Sequence, residues 1–193
     1  DILILRRENP EWTPEQKDRL PDGIRDTRAA HILIEFKYSE SVGLSAFRQA
    51  SGYDFFYKRA KKLTDRQVKT FAVSAMTPQK ATLERFGYTR THKSGLYRSG
   101  NPMLKPVSLL VLNELSDRPH NAYIKCFASR MKEKKAAFRM LKRQNAGSFS
   151  MKLLRLFQGL WNCWFSKGGD LMKQELTPEQ VIEMGRMWGD VYL

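Results

Sequence analysis

The sequence predicts an α/β core followed by a helical C-terminal extension. Strand-like and helix-like segments alternate as far as about residue 115, which is the pattern of an α/β domain. Beyond Asn113 the pattern changes to helical segments alone. Hydrophobic residues make up 41% of the 193 residues, so the chain can bury a core and is not a disordered polymer. We therefore divide the chain into a core, 1–115, and a helical region, 116–193.

Apolar and β-branched runs predict the strands. The run 31–37, HILIEFK, has the composition of a largely buried central strand. The other predicted strands are 2–5 at an edge of the sheet, 22–25, 68–75, 107–112 and a hairpin over 88–97 that turns near 93–95.

Capping chemistry marks the helix starts. The segment 13–16, Thr-Pro-Glu-Gln, combines a capping Thr, Pro at the first helical position and Gln three residues after the cap. Similar starts occur at Thr77-Pro78 and Thr177-Pro178. Gly87 predicts the end of the helix that starts at Thr77-Pro78. Helical character also covers 44–62, 128–144 and 150–165.

Composition excludes several classes of protein. No run of eighteen apolar residues is present, so the sequence predicts no membrane-spanning helix and no membrane partner. Two cysteines, Cys126 and Cys163, are too few for a disulfide scaffold or a cysteine-rich zinc site, which favours reduced thiols in a cytoplasmic protein. The sequence contains no Gly-x-Ser-x-Gly elbow, Gly-rich phosphate loop or dinucleotide fingerprint.

The charge of the chain favours a polyanionic partner. Thirty-four Lys and Arg against twenty Asp and Glu give a net charge of +14, and nucleic acid is the commonest partner of so basic a protein. Between residues 118 and 158 there are eleven Lys or Arg and one acid, Glu133. The predicted helix in this stretch is the best candidate for phosphate contacts. Its basic residues, with the Arg that precedes them, are Arg130, Lys132, Lys134, Lys135, Arg139, Lys142 and Arg143.

Candidate catalytic residues accompany the strongest strand. Glu35 and Lys37 are two residues apart near its end, so their side chains project from the same face. If Asp22 lies on an adjacent antiparallel strand, its carboxylate can lie beside Glu35, and a divalent cation relieves the repulsion between them. With Lys37 holding or polarising a water molecule, this set predicts metal-assisted hydrolysis of a phosphodiester.

Two more side chains belong to the following helix. Gln49 and Tyr53 are one helical turn apart, so they share a face that can point towards the same pocket.

In this order, Asp22, Glu35-Phe36-Lys37 and Gln49-xxx-Tyr53 resemble the motifs of the PD-(D/E)XK nuclease superfamily, which has the restriction-endonuclease-like fold. The Gln-xxx-Tyr element is similar to that of the RecB-like subgroup. The resemblance covers roughly residues 2–75. It implies a mixed central sheet flanked by helices, and Mg²⁺ or Mn²⁺ held by Asp22, Glu35 and the backbone carbonyl of Phe36. Lys37 would assist the attacking water, and Gln49 and Tyr53 would support the site.

The expected function is that of a Mg²⁺-dependent (endo)nuclease, with DNA favoured over RNA as substrate and a homodimer as one arrangement. Asp26 competes with Asp22 as the first metal ligand, because it is also upstream and closer to Glu35. We favour Asp22, since Asp26 suits a turn better. The alternatives are a nucleic-acid-binding or assembly module without turnover, and an RNA-directed nuclease.

Overall fold

A computed structural model describes residues 2–9, 11–144 and 149–165 of the chain. The chain divides into two compact units, Asp1–Arg143 and Gln144–Leu193. The helix predicted from Thr177 lies outside the described residues.

The first unit is built on a mixed six-stranded sheet. Its strands are β1 (Ile2–Arg6), β2 (His31–Lys37), β3 (Val68–Ser74), β4 (Tyr88–Arg90), β5 (Leu96–Ser99) and β6 (Val107–Val111). They lie in the order β1-β2-β3-β6-β5-β4. The strands β2, β3 and β6 are parallel, while β1 and the β4–β5 hairpin pair antiparallel on either side. The predicted α/β class is therefore confirmed.

The described α-helices are α1 (Pro14–Lys17), α2 (Leu44–Lys61), α3 (Lys80–Arg85), α4 (Pro119–Lys125), α5 (Met131–Arg143) and α6 (Met151–Phe165), and a short 3-10 helix covers Leu112–Glu114. Thr13 caps α1 with the predicted reciprocal hydrogen bonds to Gln16. None of the helices in the described ranges combines the length and apolarity needed to cross a bilayer. The helix α6 belongs to the second unit, and its buried apolar residues lie along one stripe.

The register of the central strands assigns each side chain to a face of the sheet. Glu35 pairs with Ala72, which pairs with Leu109, so these three side chains share one face. The helix α2 covers this face, where its Phe47 and Ala50 belong to the same buried cluster as Ala72 and Leu109.

The opposite face carries Phe71, and the segment after α1 packs against it. A methyl group added at Gly23 would meet the Leu96 side chain at 2.9 Å and the Phe71 ring at 3.3 Å. Gly23 also has a φ of +87°, which a residue with a Cβ rarely adopts. The segment around Gly23 therefore lies against the face that α2 does not cover.

Two local predictions are wrong. Residues 22–25 form a turn rather than a strand, and the antiparallel neighbour of β2 is β1. The third helix begins at Lys80 with Gln79 in the N-cap position, so Thr77 is not its cap. The Thr77 hydroxyl instead accepts a hydrogen bond from Asn113, after β6, which no local pattern reveals.

Candidate active site

The candidate site lies where the end of β2 meets α2. Lys37 Nζ is 3.0 Å from Glu35 Oε1, as expected for residues on one face of a strand. The same ammonium donates a hydrogen bond to Gln49 Oε1 at 3.1 Å. The structure therefore brings together two predicted residues of the strand and one of the helix.

A second helical residue extends this chain of contacts. Gln49 Nε2 donates to the Tyr53 hydroxyl at 3.0 Å. The four-residue spacing places both side chains on one side of α2, as predicted. Because its oxygen accepts from Lys37, Gln49 must direct its amide nitrogen towards Tyr53, and its orientation is fixed.

Glu35 is unusual because it is an acidic residue whose side chain is wholly buried. Its side chain has 0% exposure, and neither carboxylate oxygen accepts a hydrogen bond from the described residues. The approach of Lys37 lacks hydrogen-bond geometry, so it supplies charge but not a directed donor. Burial of an ionised carboxylate in this condition costs free energy unless a cation compensates it.

The Phe36 carbonyl points away from β3. The carbonyl of the next residue, Lys37, accepts a hydrogen bond from Ala75 on the β3 side. Successive carbonyls along a strand point to opposite sides, so that of Phe36 points to the β1 side. There the described pairing ends with Ile2 opposite Glu35, which leaves this oxygen beyond the described ladder.

Asp22 belongs to a different polar cluster. Asn121 donates to its Oδ2 at 2.8 Å and accepts from its backbone N–H at 2.9 Å. His120 Nε2 lies 3.2 Å from Asp22 Oδ1, and Lys93 Nζ lies 3.5 Å from the same oxygen. Burial alone raises the pKa of Asp22, but the hydrogen bonds from Asn121 and His120, with the charges of His120 and Lys93, hold it below its ordinary value.

The predicted placement of Asp22 beside Glu35 disagrees with this geometry. Its neighbour Gly23 contacts Phe71, on the face opposite Glu35. Asn121 belongs to α4, and Phe127, just after that helix, packs on Phe36, which also faces away from Glu35. Asp26 is held nearby, where its Oδ2 accepts from Gly23 N–H and pairs with Lys93. Both acids therefore lie in the turn over residues 22–26, and both approach the Lys93 ammonium.

Sequence reasoning missed another acid near the site. Glu40 Oε2 is 3.9 Å from Lys37 Nζ, in the loop between β2 and α2, and its side chain is 76% exposed. Its spacing of three residues from Lys37 was the signal available in the sequence.

The residues around Glu35 fit a divalent cation. Mg²⁺ takes oxygen ligands, is usually held by one or two carboxylates, and retains several waters or substrate phosphate oxygens. Glu35 offers two buried oxygens that accept no hydrogen bond from the described residues, Phe36 offers a carbonyl, and the Glu40 carboxylate lies 3.9 Å from the Lys37 ammonium. No cluster of three or more His, Cys, Asp or Glu within the described ranges could hold a metal ion, so such a cation would depend on few protein ligands.

No protein-family model, curated protein or solved structure matches this chain.

The basic helix, α5, exposes most of its predicted phosphate contacts. The exposed members are Arg130 before the helix and, within it, Lys132, Lys135, Arg139, Lys142 and Arg143. Those within the helix fall on one side, since they follow helical spacing. Lys134 differs: it is buried, and its ammonium donates to the Tyr38 hydroxyl at 3.1 Å. The prediction that Lys134 contacts phosphate therefore disagrees with its burial.

Proposed function

We propose that this protein is a metal-dependent nuclease that hydrolyses phosphodiester bonds, with DNA as the favoured substrate. The observation that carries the proposal is the Glu35 carboxylate, which is wholly buried, accepts no hydrogen bond from the described residues and lies 3.0 Å from the Lys37 ammonium. Its free energy is lowest with a cation beside it. The basic surface of the chain, with a net charge of +14, favours a polyanionic substrate.

In this proposal Glu35 and the Phe36 carbonyl hold the cation, with Glu40 as an additional carboxylate. A bound Mg²⁺ or Mn²⁺ supplies Lewis-acid stabilisation of the phosphoryl oxygens and an activated water. The Lys37 ammonium is fixed between Glu35 and Gln49, and its remaining N–H can donate a hydrogen bond to a water or phosphate oxygen. Tyr53 keeps Gln49 in place.

The chemistry requires one water molecule for each bond broken. The water oxygen bonds to phosphorus, the P–O ester bond breaks, and the departing oxygen takes up a proton. Positioned side chains contribute about 10²-fold or more to such proton movements.

Cleavage of plasmid and single-stranded DNA tests the proposal. Wild-type protein is compared with Glu35→Gln and Lys37→Ala in Mg²⁺ or Mn²⁺, with EDTA as the metal-free condition. We expect both substitutions to lower the rate by about 100-fold or more. The control is Glu84→Gln, which alters an exposed acid paired with Lys80 in α3 and should leave the rate unchanged. Equal rates in wild type and both site variants would refute the catalytic role.

A non-catalytic nucleic-acid-binding module is the second candidate. Two observations favour it: the exposed basic side of α5, and the location of Asp22 in a cluster of its own. This candidate predicts salt-sensitive binding, because phosphate contacts release counterions, and no metal-dependent cleavage.

A further inference from the structure

The helix α2 leaves two adjacent aromatic side chains open to solvent. Phe55 is 56% exposed and Phe56 is 68% exposed. Their rings contact each other edge to face, with centroids 5.4 Å apart. Isolated apolar side chains are normal on a protein surface, but two exposed rings in contact form an apolar patch, and such patches indicate a binding partner.

An open shelf lies beside these rings at Gly52. Gly52 is three residues before Phe55 and four before Phe56, so it lies one turn away from both on the same side of the helix. A methyl group at Gly52 would meet no atom within 4 Å. Glycine inside a helix costs about 1 kcal/mol relative to alanine, and here no crowding requires it.

The shelf is next to the candidate active site. Gln49, Gly52, Tyr53 and Phe56 are spaced by three, four and seven residues, which aligns them along one side of α2. Phe56 therefore lies about 10 Å beyond Gln49 along the helix axis, at about 1.5 Å per residue. A nucleic-acid strand with one phosphate at Lys37 would therefore meet the shelf first and then the two phenylalanine rings.

The exposed surface of α2 is positively charged. Arg48 and Arg59 are exposed and lie on the side of the helix that carries Phe55. The one acid in α2 is Asp54, which is buried and bound to Lys58 and Thr70. An anionic ligand would therefore meet attraction and no exposed carboxylate from this helix.

We propose that the shelf formed by Gly52, Phe55 and Phe56 binds single-stranded nucleic acid by stacking an unpaired base. The rings supply the aromatic face, Gly52 leaves room for the base, and Arg48 and Arg59 contact phosphates. A paired base in a duplex already has both faces covered, so the shelf selects unpaired strands. This inference rests on the proposed function in one respect, namely that the neighbouring site cleaves nucleic acid. The stacking of a base on the rings requires no cation.

Binding in EDTA tests the stacking without any cleavage. Fluorescence anisotropy measures the affinity of the full chain for a labelled single-stranded oligonucleotide and for the same sequence as a duplex. A 2-aminopurine base in the single strand reports stacking through its quenching. Loss of base–aromatic stacking costs enough to weaken binding about tenfold or more.

The variants separate stacking from charge and from simple apolar contact. Phe55→Leu/Phe56→Leu keeps apolar side chains but removes the rings, and should weaken single-strand binding about tenfold while duplex binding changes less than about twofold. Gly52→Leu fills the shelf and should have the same effect with both rings intact. Phe56→Trp is the matched control, which retains quenching. Circular dichroism confirms that each variant is folded.

Three results would overturn the proposal. The first is wild-type single-strand affinity in both the double Leu variant and Gly52→Leu. The second is an equal loss for single strand and duplex. The third is a dimer in light scattering that the Leu substitutions dissociate without change in DNA affinity, since the patch would then be a self-association surface. If the wild type shows no base stacking but retains Glu35-dependent cleavage, this inference alone is refuted. If the wild type shows stacking but no Glu35-dependent cleavage, the proposed function alone is refuted.

Discussion

Removing the Lys37 ammonium should destabilise the metal-free protein, because Glu35 would remain buried without a neighbouring cation. The substitution is Lys37→Met, which keeps most of the length of the side chain. Glu35 has 0% exposure and accepts no hydrogen bond from the described residues, so water does not solvate its carboxylate when the ammonium is removed.

The magnitude follows from the burial of the two partners. Removing one member of a buried ion pair costs about 3–5 kcal/mol. Lys37 is itself 17% exposed, so we expect the lower end, about 3 kcal/mol. Replacing both partners by apolar residues, as in Glu35→Leu/Lys37→Met, leaves no uncompensated charge and should give a stability equal to or up to about 3 kcal/mol above the wild type.

Urea denaturation in EDTA at pH 7, followed by circular dichroism and tryptophan fluorescence, measures these differences. Lys80→Met is the control, since Lys80 and Glu84 form an exposed pair and its loss should cost about 0.5 kcal/mol or less. The reasoning fails if Lys37→Met lies within about 1 kcal/mol of the wild type. It also fails if the double variant is less stable than the single one.

Three further predictions concern other charged groups. Asp22→Ala should lower the free energy of unfolding by about 2–4 kcal/mol, because it breaks a buried polar cluster. Since the pKa of Asp22 is lowered in the folded protein, its carboxylate stabilises the fold fully above about pH 4 and loses this effect as the pH falls through the native pKa. The free energy of unfolding should therefore depend less steeply on pH in this acid range for the variant than for the wild type. Burial lowers the pKa of Lys69 to about 8 in the folded protein, from 10.5 in the unfolded chain. Because the unfolded chain binds more protons between these pH values, the free energy of unfolding of the wild type, measured with urea, should rise from pH 8 to pH 10.5. Lys69→Met should lack this rise. The plot of log affinity for DNA against log salt concentration has a negative slope, and Lys135→Ala/Arg139→Ala should make it less steep by about 2. Lys134→Ala should leave this slope unchanged and lower the free energy of unfolding, because Lys134 is buried and bonded to Tyr38.

The sequence was sufficient for the features that depend on neighbours in the chain. The apolar run of β2, the capping box at Thr13 and the one-turn spacing of Gln49 and Tyr53 are all local signals, and the structure shows each of them. Glu35 and Lys37 share a face because alternation along a strand leaves no other arrangement.

The features that depended on distant partners were not predictable. Asp22 is held by Asn121, which lies ninety-nine residues further along the chain. Lys134 is buried and donates a hydrogen bond to Tyr38, which lies ninety-six residues away in the chain. A single sequence contains no signal for either pairing, so its local pattern predicts a strand where the turn lies and a phosphate contact at the buried Lys134.

The contacts of the candidate site come from a short stretch of the chain. Glu35, Lys37, Gln49 and Tyr53 all belong to one strand and the helix that follows it. A circular permutant with new termini at the tip of the β4–β5 hairpin would therefore keep this unit covalently continuous. Evolution could likewise transplant such a strand–helix segment between sheets without reassembling its chemistry from remote parts.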